Sequence, residues 1–252
     1  MYDFQKANIW KRISASLFDI ILLVIIIIGA GLLMSRMLKY DSLSSQLQDS
    51  YSAYEEAYGI DLSISLEEYE ALDETTKAKH EEAKKAILED KGIIQTYEKL
   101  MNFTLIIITF SILLSYILLE FIVPLLFKNG QTLGKKVFGV AVMREDGVKL
   151  SSLSLFIRTV LGKYTIETMI PVMVLILFFF GTMNIFCILV VGMLLIVQVA
   201  MFIIDPARSL IHDKLAKTVC VDLASQMIFD TENDMLEYKK RIQAEKAAKA
   251  DY

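Results

Sequence analysis

Three long stretches of this chain are almost free of charge, and they decide what it can fold into. Between Arg12 and Arg36 the only charged residue is Asp19; Leu100 to Leu119 carries none, and neither does Thr168 to Ile204. Roughly 20 apolar residues cross about 30 Å of hydrocarbon, so each stretch is long enough to span a bilayer. Hydrophobic residues make up 55% of the 252, above the roughly 45–50% usual for a soluble domain, and the mean hydropathy is +0.49. The chain reads as an integral membrane protein, which excludes a soluble enzyme or a nucleic-acid binder.

The first span runs from about Ile13 to Met37 and the second from about Met101 to Phe127. The third block, Thr168 to Ile204, measures about 55 Å as one straight helix, too long for a single crossing at ordinary tilt. Gly181-Thr182-Met183-Asn184 has turn chemistry and divides the block into two spans. Four spans put both termini on one side; one long third helix would instead put the C-terminus outside. Charge orients the bundle. Residues 128–163 carry seven Lys/Arg against two acids, and residues 1–12 carry Lys6, Lys11 and Arg12 against Asp3. Residues 39–99 carry seven Lys against fifteen acids. Since Lys/Arg excess marks the cytoplasmic side, the termini and the 128–163 loop are expected inside and the acidic segment outside. A cleavable signal peptide is the rival reading of the N-terminus, but the apolar run exceeds the usual h-region and lacks a small-residue cleavage site. It reads as a retained anchor.

In the acidic segment, Ser65-Leu66-Glu67-Glu68 is a capping-box pattern, followed by an Ala-, Glu- and Lys-rich helical stretch from Tyr69 to Lys91 that ends at Gly92. Leu43 to Tyr58 reads as a second helix ending at Gly59, and Glu81/Lys85 form an i,i+4 pair. An antiparallel helical hairpin is expected, acting either as a solvated acidic spacer or as a docking surface for a partner. Cys187 and Cys220 fall on opposite sides and are expected as free thiols. His80 and His212 are likewise separated, which leaves no metal-ligand spacing and no catalytic Cys/His pairing. No phosphate-binding Gly loop appears, so no cofactor and no enzymatic activity are expected.

Beyond the second span, Val137 to Met143 is short and β-branched before the Glu145-Asp146-Gly147 turn, and Thr218 to Val221 has the same character. These strands are expected to pair in a small cytoplasmic sheet. Leu150 to Tyr164 places Leu153, Phe156, Ile157, Val160, Leu161 and Tyr164 at helical spacing with Arg158 and Lys163 among them, the pattern of an interfacial amphipathic helix. Residues 224–252 read as a charged, solvated helical tail.

Arg12 and Asp19, the Gly-Gln-Thr-x-Gly-Lys run at 130–135, and Arg208-Ser209-Leu210-Ile211-His212-Asp213-Lys214-Leu215-Ala216-Lys217-Thr218 together resemble the RDD family of membrane proteins. The family is named for one arginine and two aspartates, which match Arg12, Asp19 and Asp213. The resemblance covers residues 8–37 and 100–222. It departs at Lys217, where the family commonly has Gly. It implies a role in transport, including sodium–proton exchange for some members.

Ionisable residues inside a membrane are expensive and are functional candidates by default. Asp19 stands nearly two turns beyond Arg12 on the same helical face and leans toward it without reaching it, so a water or a third group is needed to complete the link. Glu120, eight residues before Lys128 on an antiparallel helix, comes out at a similar depth. Pro124 leaves the Glu120 carbonyl without its helical donor, and Glu167 with Pro171 repeats that spacing. Three carboxylates and two loosened carbonyls suit a monovalent cation or a proton. The plainer readings are a positive-inside anchor for Arg12, and for Asp19 a structural carboxylate bonded to backbone N–H groups, Lys135 or Arg208. Glu167 then sits among headgroups, Asp213 braces the sheet through Arg208 or Lys214, the prolines are packing kinks, and the Gln131–Lys135 run is a tight turn.

The expected fold is an all-α integral membrane protein with four transmembrane helices, an extracytoplasmic helical hairpin and a small cytoplasmic β-sheet. Its segments are residues 1–38, 39–100, 101–127, 128–165, 166–204, 205–223 and 224–252. The expected location is the cell membrane, multi-pass, with the lipid bilayer as partner, a homo-oligomer or a membrane partner protein as company, and no nucleic acid. Two function classes stay open. One is a small cation or proton exchanger with Asp19, Glu120 and Glu167 as ion or proton ligands, and Arg12, Arg208, Asp213, Lys135 and Gln131 as electrostatic or structural partners. The other is a non-transporting regulator or scaffold whose hairpin binds a partner protein.

Overall fold

The computed structural model describes residues 5–127, 129–182 and 184–250. Of the residues behind the charge and turn readings, Asp3, Lys128 and Met183 lie outside these. Among the described residues, four helices are long and apolar enough to cross a membrane: α1 (Ile9–Met37), α5 (Lys91–Phe127), α7 (Ser152–Phe179) and α8 (Ile185–Ile204). Their apolar side chains are largely exposed, as Leu17, Ile21 and Ile25 are on α1 and Ile185, Leu189 and Ile196 on α8. Apolar surface of this extent marks contact with lipid or with another protein. The chain folds as two compact units, residues Ile28–Ser111 and the remainder.

In the unit Ile28–Ser111, α1 stops at Met37, and Lys39, in the left-handed region at φ 54°, separates it from α2 (Tyr40–Tyr58). Gly59 ends α2 at φ 65°, a conformation that costs glycine little. The Ser65/Glu68 capping box is present, but it starts only the short helix α3 (Leu66–Glu70). Asp73 then caps a separate helix, α4 (Glu74–Glu89), because its carboxylate takes the N–H groups of Thr75 and Thr76. The single helix expected from Tyr69 to Lys91 is therefore two, and Gly92 lies inside the first turn of α5 rather than ending a helix. Glu81 accepts the Tyr69 hydroxyl at 3.0 Å instead of pairing with Lys85.

In the other unit, β1 (Val140–Arg144) pairs antiparallel with β2 (Thr218–Asp222), Val140 opposite Asp222 and Arg144 opposite Thr218. Val140, Val142 and Cys220 pack one face with Ala7; Ala141, Met143, Val219 and Val221 pack the other. Burial on both faces explains why these strands read as continuous apolar runs rather than alternating ones. Val137 belongs to a short helix, α6 (Leu133–Val137), and not to the strand. Two further corrections concern what flanks the sheet. Residues 152–164 are not a separate interfacial helix. They are the first half of α7, a continuous 28-residue helix whose turns widen over Ile157–Met169. The tail is not simply solvated: Phe229 and Met235, at the start of α10 (Glu232–Ala250), are buried with Val148, and Lys149 donates its backbone N–H to the Phe229 carbonyl at 2.9 Å. Between β1 and β2 the helix α9 (Ile211–Ala216) ends at Lys217, in the left-handed region at φ 51°.

Candidate functional site

A cavity of about 220 Å³ is enclosed by α1, the last turns of α5, α6, the widened part of α7 and α9. The Gly-Gln-Thr-x-Gly-Lys run builds one wall. Thr132 caps α6. The Asp19 carboxylate accepts the Thr132 hydroxyl and, at 2.7 Å, the Gly134 N–H, with Lys135 Nζ at 3.8 Å. Only glycine allows this approach. A Cβ at position 134 would collide with the Ala15 carbonyl and sit 2.9 Å from the Asp19 carboxyl. The run is thus a holder for Asp19, and Gln131 secures it by donating from Nε2 to the Val140 carbonyl at 2.8 Å.

A second wall comes from α7. Wide turns with bonds reaching five residues back are uncommon and often mark functional sites, and here they bring Arg158, Thr159 and Gly162 to the interior. Lys163 Nζ pairs with Glu120 at 2.6 Å. The Glu120 carbonyl, four residues before Pro124, accepts the Thr159 hydroxyl at 2.9 Å. It is therefore not an open ligand. Tyr116, one turn before Glu120, shares a hydrogen bond of 2.7 Å with Thr168.

The third wall is α9. Asp213 is fully buried and gathers Arg158 through Nε at 3.0 Å and Nη2 at 2.9 Å, with Thr218 Oγ1 at 3.1 Å. Burial alone would raise its carboxyl, but Arg158, together with His212 and Arg12, holds it well below the usual carboxylate range. His212 donates from Nδ1 to Glu167 at 2.8 Å. Burial, assisted by Arg158 and Lys163 against the pull of Asp213 and Glu167, pushes His212 below its ordinary value. Lys135 is pushed down as well, by burial first and then by Lys163 and Arg158.

A family model described as RDD family matches residues 6–217. The chain belongs to the RDD family. No curated protein and no solved structure gives a significant match. The match runs through the acidic insertion, which the motif resemblance had left out, and stops before the tail.

In this RDD chain Arg12, Asp19 and Asp213 do not form one cluster of mutual partners. Arg12 does not complete a link to Asp19. Its guanidinium donates to the Ala207 carbonyl at 3.4 Å and the Arg208 carbonyl at 2.9 Å, and approaches Asp213 at 4.0 Å. Asp213 is braced by Arg158 and Arg12, not by Arg208 or Lys214; Lys214 goes to Asp205 at 2.8 Å. Arg208 itself is exposed and outside the cavity, at φ 53°. Asp19, Glu120 and Glu167 do line the same space, yet each already has a basic or imidazole partner. The cavity balances four carboxylates (Asp19, Glu120, Glu167, Asp213) against four cations (Arg12, Lys135, Arg158, Lys163) around His212. Lys163, Arg158 and His212 were missed as site residues. Their signal was present in part: two cations five residues apart in an apolar helical run, with the small Thr159 and Gly162 between them, match turns wider than 3.6 residues.

Proposed function

We propose that this RDD chain is a cation–proton exchanger working through the polar cavity. The observation that carries the reading is the charge balance inside a buried, low-dielectric space. A cavity with four acids and four bases has no net charge to offer an incoming cation. Admitting one therefore requires Lys135, beside Asp19, to give up its proton, and leaving restores it. Each event trades one positive charge for another, so the space never holds an uncompensated charge, whose burial costs several kcal/mol. The depressed proton affinity of Lys135 suits that part. Asp19 and Glu120 are the ligands, Lys135 the proton carrier, and Arg12, Arg158, Lys163 and Asp213 the fixed frame. No covalent chemistry is involved. The basic 128–163 segment and the acidic 39–99 segment support a cell-membrane orientation with both termini in the cytoplasm. Four helices enclose little volume, which favours a homo-oligomer.

Purified protein in vesicles should move protons against an imposed sodium gradient, and Asp19→Asn or Glu120→Gln should abolish the movement. Flux that survives both substitutions together overturns the assignment. A second reading, a scaffold that recruits a partner protein, is favoured by one observation. Residues Ile28–Ser111 form their own compact unit with a groove of about 670 Å³ lined by Tyr51, Tyr69 and His80. Deleting Leu43 to Lys91 separates the two readings, because exchange should persist and recruitment should not.

A further inference from the structure

Where α1 begins and α8 ends, an open groove of about 620 Å³ runs between residues 6–10 and Arg208. It lies outside the polar cavity. Arg12 on α1 bonds the carbonyls of Ala207 and Arg208, which follow α8, so the two helix ends lie at one level of the bundle. Trp10, the only tryptophan in the chain, is 75% exposed there and sits beside the lipid-facing Ile13 and Leu17. Exposed tryptophan at a helix end marks the headgroup layer of a bilayer.

Two cations face this groove without partners. Among the described residues no carboxylate pairs with the Lys6 ammonium or the Arg208 guanidinium, whereas the groove's own acid, Asp222, is already taken by Lys11 at 2.6 Å. Among the described residues the groove therefore carries two positive charges with no carboxylate paired to them. Arg208 is also fixed in place. Its backbone holds φ 53°, a conformation that side chains rarely adopt. Three bonds keep it so: Arg208 N–H to the Asp205 carbonyl at 2.8 Å, Ser209 N–H to the Asp205 carboxylate at 2.9 Å, and the Arg12 guanidinium to the Arg208 carbonyl at 2.9 Å. A planar guanidinium with a nearby ammonium is the donor set that recognises a phosphate ester.

We propose that this groove binds the phosphate of an anionic phospholipid headgroup, held by Lys6 and Arg208 and roofed by Trp10. Free inorganic phosphate offers the same oxygens, but the apolar face of α1 beside Trp10 favours a ligand that also carries acyl chains. The proposal does not depend on exchange activity, because binding is read without any flux.

The single tryptophan is the reporter. The full chain, purified in an uncharged maltoside detergent, is titrated with dioctanoyl phosphatidylglycerol, with dioctanoyl phosphatidylcholine and with sodium phosphate while Trp10 emission is followed. The expected result is a saturable shift with phosphatidylglycerol only, weakened by salt. Arg208→Gly, which removes the guanidinium while suiting the backbone conformation, and Lys6→Ala should each raise the midpoint roughly tenfold. Lys246→Ala on α10 should leave it unchanged. The proposal is overturned if phosphatidylglycerol gives no saturable shift, or if both variants keep the wild-type midpoint. Equal response to phosphatidylcholine rules out recognition of net charge, and equal response to sodium phosphate rules out the lipid as the source.

Discussion

The Glu120–Lys163 pair offers the sharpest test of how this bundle is held and what it does. The two side chains meet at 2.6 Å and are 9% and 16% exposed. At an effective dielectric of 20, two unit charges at that distance attract by about 6 kcal/mol, a gain that burial of both ions largely offsets. The consequence is asymmetric. Glu120→Gln or Lys163→Met alone leaves one buried charge without its partner and should cost about 3–5 kcal/mol, whereas the two together should return the protein to near wild-type stability or above it. Thermal unfolding of detergent-purified protein, followed by helical circular dichroism, measures all four corners of the cycle. Vesicle flux on the same preparations separates structure from function, because the double variant should be stable and silent. Single variants that lose less than about 1 kcal/mol would mean that the pair behaves as a solvated surface ion pair, and the charge-balance argument fails with it. A double variant that exchanges normally would remove Glu120 from the ligand role.

Other expectations follow from the same geometry. Lys217→Gly should stabilise the protein by about 1 kcal/mol, because it relieves a left-handed backbone at φ 51°; denaturant midpoints measure it. Gly162→Ala should destabilise by about 3 kcal/mol, since the added Cβ would lie 2.5 Å from His212 Cβ and 2.7 Å from its Cα. His212 binds its proton less readily in the native state than its ordinary value of 6.5. Below that pH the unfolded chain takes up a proton that the folded chain refuses. The stability present above pH 6.5 should therefore fall as the medium is acidified, and His212→Gln should flatten the slope of melting temperature against pH. The Asp213 contribution is lost only below its unfolded value of 3.8 and does not overlap that window.

The membrane-spanning helices were legible because hydrocarbon imposes a length and forbids charge, and both constraints are written directly into runs such as Thr168 to Ile204. The sheet was legible for a related reason: β-branched residues and a turn bound each strand. Pairing was legible only in part. The plainer reading of Asp19 named backbone N–H groups and Lys135, and the Gly134 N–H and Lys135 do lie against it; the Lys163 partner of Glu120 depends on helix rotation, information that a local pattern does not hold. In α7, a spacing of 3.6 residues per turn puts Arg158 and Lys163 about 140° apart, on different faces of one helix. Widened turns rotate them inward. The motif glycine at 134 was read as part of a turn, whereas its role is to let a backbone N–H touch a carboxylate.

The pairing of β1 with β2 carries a lesson for biogenesis. The strands are separated in the chain by α7, α8 and α9, so during synthesis the first strand waits while two hydrophobic segments are threaded into the bilayer. Only when the ribosome has delivered residues 213–222 does Arg158 meet Asp213 and the first strand gain its neighbour. A nascent chain interrupted before that point keeps an orphaned guanidinium and an open strand edge, features that quality-control proteases are equipped to find. Closure of this small sheet thus waits until both hydrophobic segments between its strands have been delivered.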